Sequence, residues 1–275
     1  MVLKHNPKGG IYMVAEIISV GTELLLGDIV NTNAQYIAKQ LAHNGIDVYY
    51  QTVVGDNPDR LNLALTIAFA RADMVVLTGG LGPTKDDLTK ELVAEYFGKK
   101  LVFDPEVYKN VEEKVYAFGV KEISESIKKQ AYVPEGALLF KNEVGTAPGQ
   151  VLAKDGKTAI LLPGPPEEMK PMFDECCKVF LNKLSDKVFV SMNIRLKGPD
   201  EAPGNEIGEA PVADKIASFL DYKNPTVAIY AKPDGCIIRI TAAATDREVA
   251  LKLIAPVISG LTDILAPVMK EVYES

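Results

Sequence analysis

Four strand-like runs, each closed by a glycine- or proline-rich loop and then followed by an amphipathic stretch, restrict this chain to a narrow set of folds. AEIISV, IDVYYQTVV, MVVL and TAIL are short and sit between turn signals, as strands of a buried sheet do. NAQYIAKQLAHNG places Ile37 and Leu41 on one helical face and stops at Gly45. NPDRLNLALTIAFARA carries Pro58 early, DDLTKELVAEYFG ends at Gly98, and PPEEMKPMFDECCKVFLNKL has prolines near its start. Such βα alternation implies an α/β fold: a mostly parallel sheet with right-handed crossovers and helices on both faces. Residues 104–131 read as a polar, helical excursion from the sheet, and ALLF with GQVLA as a short hairpin. The first domain is therefore expected over residues 13–184.

The grammar then changes. VFVSMNIRLKG reads as a strand and GEAPVADKIASFL as a helix. TVAIYAKP and CIIRITAAA read as a hairpin turned at Asp234-Gly235, and REVALKLIAPVISGLTDIL as a last helix. That β-α-β-β-α order predicts a separate small α+β domain over residues 187–272. Residues 1–12 look like a leader or tag before Met13, and they lack the apolar core of a secretory signal.

Composition removes several function classes. No run of about eighteen apolar residues occurs, so no membrane span is expected. The formal net charge of −7 argues against a general affinity for nucleic acid. It leaves room for a small anion, which backbone N–H groups, a helix dipole or a metal can hold inside an acidic protein. Cys176, Cys177 and Cys236 form no CxxC pair, which speaks against a zinc or dithiol site and suits a reducing cytoplasm. His5 lies in the leader, and His43 ends a helix where a cation is favourable. Carboxylates, a metal and backbone dipoles are left as the chemical tools.

The loops carry those tools. TGGLGPTKDDLT follows the buried run MVVL and precedes a helix. Gly79, Gly80 and Gly82 let the backbone approach a ligand, Thr84 follows them, and Asp86 and Asp87 stand beside the helix start. One of these acids can cap the helix while the other holds a cation that bridges phosphates. In SVGTELLLGDIVNTN, Gly21, Thr22 and Glu23 stand at the mouth of the first loop, and Asp28, Asn31 and Asn33 precede the helix as candidate caps or ligand groups. Asp56 occupies the matching place after the second strand. NEVGTAPG, with Asn142 and Gly145, and LPGPPEEM, with Gly164, complete a set of loops able to face one rim. Each residue alone is explained as a turn or cap; the set is more specific than its members.

Taken in order, SVGTELLLGDIVNTN, VGDN, TGGLGPTKDDLT, KKQAYVPEGA, NEVGTAPG and LPGPPEEM resemble the molybdopterin-binding fold family, and most closely its CinA-like branch. The resemblance spans residues 17–169, and the tail is similar to the middle, KH-type domain of CinA proteins. It implies a three-layer α/β/α domain, a homodimer, and a metal-dependent ADP-ribose pyrophosphatase that releases AMP and ribose 5-phosphate. The cofactor implied is a divalent metal, Mg²⁺ or Co²⁺, with K⁺ as a further cation. Asp87 matches the acid that the family places after its glycine loop. Asp86 is a second metal-ligand candidate, and Asp56 a second catalytic one. Longer CinA proteins carry a further domain that deamidates nicotinamide mononucleotide, and this chain, ending at Ser275, is not expected to share that activity. PDEAPGNE, between RLKG and IGEA, departs from the family's short turn.

Two other readings use the same residues. A molybdopterin-binding or adenylyl-transferring protein would need the same fold and loops, and a ligand panel of ADP-ribose, ATP and pterins, with and without metal, separates it from a hydrolase. A nucleic-acid module built on the tail would need a GXXG loop, which Gly198, Gly204 and Gly208 do not form, and Asp200–Glu209 holds no lysine or arginine.

Overall fold

The computed structural model describes residues 13–184, 188–198, 200–201, 208–232 and 234–274. The leader and most of PDEAPGNE lie outside them. β1 (Val14–Val20) is buried along its whole length, as its apolar run requires. A short helix, α1 (Thr22–Leu26), follows, then α2 (Thr32–His43), which ends where Gly45 turns at φ +71° and the Ile46 N–H donates to the Leu41 carbonyl. β2 (Asp47–Val54), α3 (Pro58–Arg71), β3 (Met74–Thr78) and α4 (Thr89–Tyr96) continue the alternation. The excursion consists of β4 (Leu101–Phe103), α5 (Pro105–Ala117), α6 (Glu125–Lys128) and β5 (Tyr132–Pro134), with β4 and β5 paired in a two-stranded sheet of their own. β6 (Leu138–Phe140), β7 (Gly149–Lys154), β8 (Lys157–Leu162) and α7 (Pro166–Val179) complete this unit.

Six strands join in the order β2-β1-β3-β8-β7-β6. β2, β1, β3 and β8 run parallel, while β7 and β6 add an antiparallel edge. Successive residues of the central strands feed opposite faces. Ile17, Met74, Val76 and Ile160 pack with Ile37 and Leu41 of α2 and Met172 and Phe173 of α7. Ile18, Val75, Leu77 and Leu161 pack with Leu61, Leu65 and Phe69 of α3 and Val93 of α4. The result is the three-layer α/β/α arrangement that the alternation predicts. Glu16 of β1, a charge buried within it, is 1% exposed and takes paired hydrogen bonds from Arg71, each 2.8 Å, and one from Thr52 Oγ1.

The chain divides into two compact units, the first ending at Leu184. The second holds β9 (Val188–Leu196), α8 (Glu209–Lys215), α9 (Ala217–Leu220), β10 (Thr226–Lys232), β11 (Gly235–Ala244), α10 (Arg247–Leu265) and β12 (Met269–Glu274). Its sheet is antiparallel, in the order β10-β11-β9-β12. Buried Ile238, Ile240 and Ala242 pack with Ile254, Val257 and Leu261 of α10. The β10–β11 hairpin closes with Lys232 opposite Gly235. The terminal strand β12 has no counterpart in the sequence reading. Among the described residues no helix is long and apolar enough to cross a membrane.

The two-sided core predicts a contrast. Leu161, fully buried between β3 and β7, should cost about 2–5 kcal/mol on replacement by alanine. Leu63, 61% exposed on α3, should change stability by no more than about 0.5 kcal/mol when replaced in the same way. Urea unfolding measures both, and equal losses would refute the assigned core.

Candidate functional site

The parallel strands end nearly level. Val20 is paired with Val54, Ser19 with Thr78, and Thr78 with Leu162. Gly21, Gly55, Gly79 and Pro163 follow directly, so four loops leave one rim. The loop before β7 returns to that rim, because β7 starts beside the end of β8. Between these loops lies a cavity of about 400 Å³, lined by Gly21, Glu23, Asp56, Gly79, Gly80, Gly82, Asp86, Asp87 and Gly164 of the expected set, and by Leu81.

The glycine loop is tight for identifiable reasons. Gly79 and Gly80 have φ of +104° and +68°. A Cβ on Gly79 would press on the Val20 carbonyl, and one on Gly80 on Thr89 Oγ1. Thr89, which is buried, donates its hydroxyl proton to the Gly79 carbonyl at 2.9 Å and ties the loop to α4. The Gly79 N–H is spent on the Leu162 carbonyl and the Thr84 N–H on Asp87 Oδ2. The N–H groups of Gly80, Leu81 and Gly82 take no protein acceptor among the described residues.

Neither Asp86 nor Asp87 caps α4, contrary to one expectation. The cap position is Leu88, with no side-chain hydrogen bond. The two carboxylates instead converge on Thr84: its Oγ1 lies 2.5 Å from Asp86 Oδ1 and 2.5 Å from Asp87 Oδ2. The Thr84 hydroxyl holds the Asp86 carboxyl below its ordinary range, with help from its own backbone N–H. Asp56 is fixed from the other side. Its Oδ2 accepts from the Thr22 N–H at 2.9 Å and the Thr22 hydroxyl at 2.8 Å. Thr22 and Thr84 thus position the acids.

Asn142 and Gly145 stand behind the wall and do not line the cavity. Asn142 is 1% exposed and fully engaged: Oδ1 accepts from the Val144 and Gly145 N–H groups, and Nδ2 donates to the Ala147 carbonyl and to Glu168 Oε2. Glu168, on the first turn of α7, and Gln130, before β5, line the cavity and were not singled out from sequence. Burial pushes the Glu168 carboxyl up, partly offset by the Asn142 hydrogen bond. Asn31 caps α2, its Oδ1 accepting from the Ala34 N–H, so Asp28 and Asn33 are not the cap. Asn31 and Asn33 line an adjoining cavity that shares Val20, Glu23, Gly164 and Pro165 with the first.

Residues 16–183 match the family model described as "Probable molybdopterin binding domain", and residues 206–269 the model described as "Damage-inducible protein CinA KH domain". A crystal structure of the protein CinA from Thermoplasma acidophilum is 38% identical, with a TM-score of 0.55, over 60% of this chain and 97% of that one. The chain belongs to the CinA family. A "Putative competence-damage inducible protein" of Clostridium beijerinckii is 48% identical over 246 residues, 89% of this chain and 58% of that protein. One from Clostridium botulinum is 50% identical over 254 residues, 92% of this chain and 60% of that protein. This CinA-family chain therefore spans under two thirds of the length of these relatives.

The raised Glu168 carboxyl gives a pH test. Its charged form is disfavoured on folding, so its cost is present at neutral pH and fades as pH falls through the raised pKa towards the unfolded value. Glu168→Gln keeps an acceptor for Asn142 and removes the charge. Its melting temperature should exceed that of the unaltered protein at pH 7–8, and the gain should shrink towards pH 4. A gain that grows on acidification would contradict the assigned cause.

Proposed function

We infer that this chain is a metal-dependent phosphoanhydride hydrolase acting on a nucleoside diphosphate, with ADP-ribose as substrate and AMP and ribose 5-phosphate as products. The observation that carries the reading is the convergence of Asp86 and Asp87 on one Thr84 hydroxyl beside three unengaged backbone N–H groups. That hydroxyl has one proton for two carboxylate oxygens, so a cation there would relieve their repulsion. Among the described residues no group of three or more His, Cys, Asp or Glu could hold a metal ion. Mg²⁺, or Co²⁺ in its place, needs only one or two carboxylates, with phosphates and water completing the shell.

Asp86 and Asp87 would hold the ion, which supplies charge neutralisation on the diphosphate and a lowered pKa for water. The N–H groups of Gly80, Leu81 and Gly82 receive phosphoryl oxygens and stabilise the charge that gathers on them. Asp56, fixed by Thr22, orients the attacking water and accepts its proton. The water oxygen bonds to one phosphorus, and the bridging oxygen leaves with the other phosphate, giving two monoesters. A cytoplasmic homodimer completes the reading, with sedimentation as the check on its mass.

Asp87→Ala should lower kcat on ADP-ribose at least about a hundredfold, a barrier increase of ~2.7 kcal/mol, with a smaller change in KM. Asp87→Asn keeps an acceptor for Thr84 and should fold normally while losing the same activity. AMP release with Mg²⁺ or Co²⁺, measured beside melting temperature, is the assay. A fully active Asp87→Asn protein would confine the residue to loop closure. The unaltered protein releasing no AMP while binding a pterin would favour the molybdopterin-binding reading.

A further inference from the structure

The stretch KKQAYVPEGA closes the excursion and meets the acid-lined cavity at Gln130. Gln130 lies in a single 3-10 turn, Lys129–Ala131, that is held on three sides. Lys90 Nζ of α4 donates to the Lys129 carbonyl at 2.8 Å. Lys129 Nζ donates to the Asp87 carbonyl at 3.0 Å and pairs with Glu91 at 3.2 Å. The Ala131 carbonyl accepts from the Asp104 N–H, just past β4. The turn is thus fastened to α4, to the acid loop and to the excursion, and the backbone of Gln130 is fixed.

Its side chain is in a different condition. Gln130 is 4% exposed, and its amide makes no hydrogen bond among the described residues. Neither amide atom is sealed from solvent, and the residue lines the cavity, so the head group is within a ligand's reach. A polar group that is poorly hydrated and unpaired gains more from a ligand than the same group in open water. The lining decides which ligand. Glu23, Asp56, Asp86, Asp87 and Glu168 bring carboxylates to this cavity, and no lysine, arginine or histidine lines it. Nε2 of Gln130 therefore offers uncharged N–H donors where an anion finds no side-chain cation.

We propose that Gln130 is a substrate-binding residue whose amide N–H donates to a phosphoryl oxygen of the diphosphate held between the glycine loop and the acids. The assignment rests on the proposed function for the diphosphate alone, and its test needs no turnover. The probe is methylenediphosphonate, a diphosphate analogue that is not hydrolysed, bound with Mg²⁺ to the full chain and followed by calorimetry. Gln130→Met keeps the length of the side chain and removes both polar atoms. Gln130→Glu keeps the shape and replaces the donor with a further carboxylate.

Gln130→Met should bind methylenediphosphonate at least about tenfold more weakly than the unaltered protein, the loss of one hydrogen bond to a charged group. Gln130→Glu should bind it more weakly still, since it adds repulsion to the lost donor. The ligand-free melting temperature of Gln130→Met should stay level or rise, because no protein partner is left unpaired by the change. A residue that only supports the fold would show the reverse, a lower melting temperature with affinity kept. That result, unchanged affinity in both variants, or no binding of methylenediphosphonate to the unaltered protein would overturn the proposal. The expected loss of affinity in a protein that releases no AMP from ADP-ribose would remove the hydrolase reading and leave the role of Gln130 standing. AMP release with undiminished affinity in Gln130→Met would do the opposite.

Discussion

The level ending of four parallel strands is the constraint on which the rest of this molecule depends. β1, β2, β3 and β8 stop within about a residue of one another, and three of the four are followed at once by glycine. Parallel pairing points every one of these exits at the same rim. The Gly21 N–H closes on the Val54 carbonyl and the Gly79 N–H on the Leu162 carbonyl, so the loops continue the ladder for one bond and then open. At Gly79 the backbone adopts φ +104° against the Val20 carbonyl, where a side chain cannot fit. The three N–H groups that follow are left without protein partners.

On this base, acids are brought to the cavity by short polar clamps. Thr22 holds Asp56, Thr84 gathers Asp86 and Asp87, and Asn142 holds Glu168. Each clamp joins an acid to a group that can hydrogen-bond its charged form. Asp56 and Glu168 are held by residues 34 and 26 positions away, so their placement depends on the sheet as well as on the loop. The carboxylates are thus fixed before a ligand arrives, the condition under which electrostatic stabilisation is most effective.

Much of this was legible in the sequence. The βα alternation pointed to the parallel core because short apolar runs bounded by turn residues and well-spaced helix stops are strong local signals. The three-residue strands β4 and β5 were not legible, since so short a run has no period to read. The edge strand β12, largely exposed, lacks the apolar signature of a buried strand. Asp87 was readable as a loop acid, but whether it caps α4 or closes onto Thr84 depends on where the helix starts, and helix ends are weakly encoded. Glu168 resembled any first-turn acid, and its half-buried position beside Asn142 arises from contact across 26 residues.

The central claim is that the glycine loop and the acids beside it in the first unit form one phosphate site. A crystal structure of the chain with AMP tests it most directly. The account predicts the phosphate against the Gly80, Leu81 and Gly82 N–H groups, beside Asp86 and Asp87. AMP bound only within residues 188–274, or with its phosphate remote from the glycine loop, would contradict it.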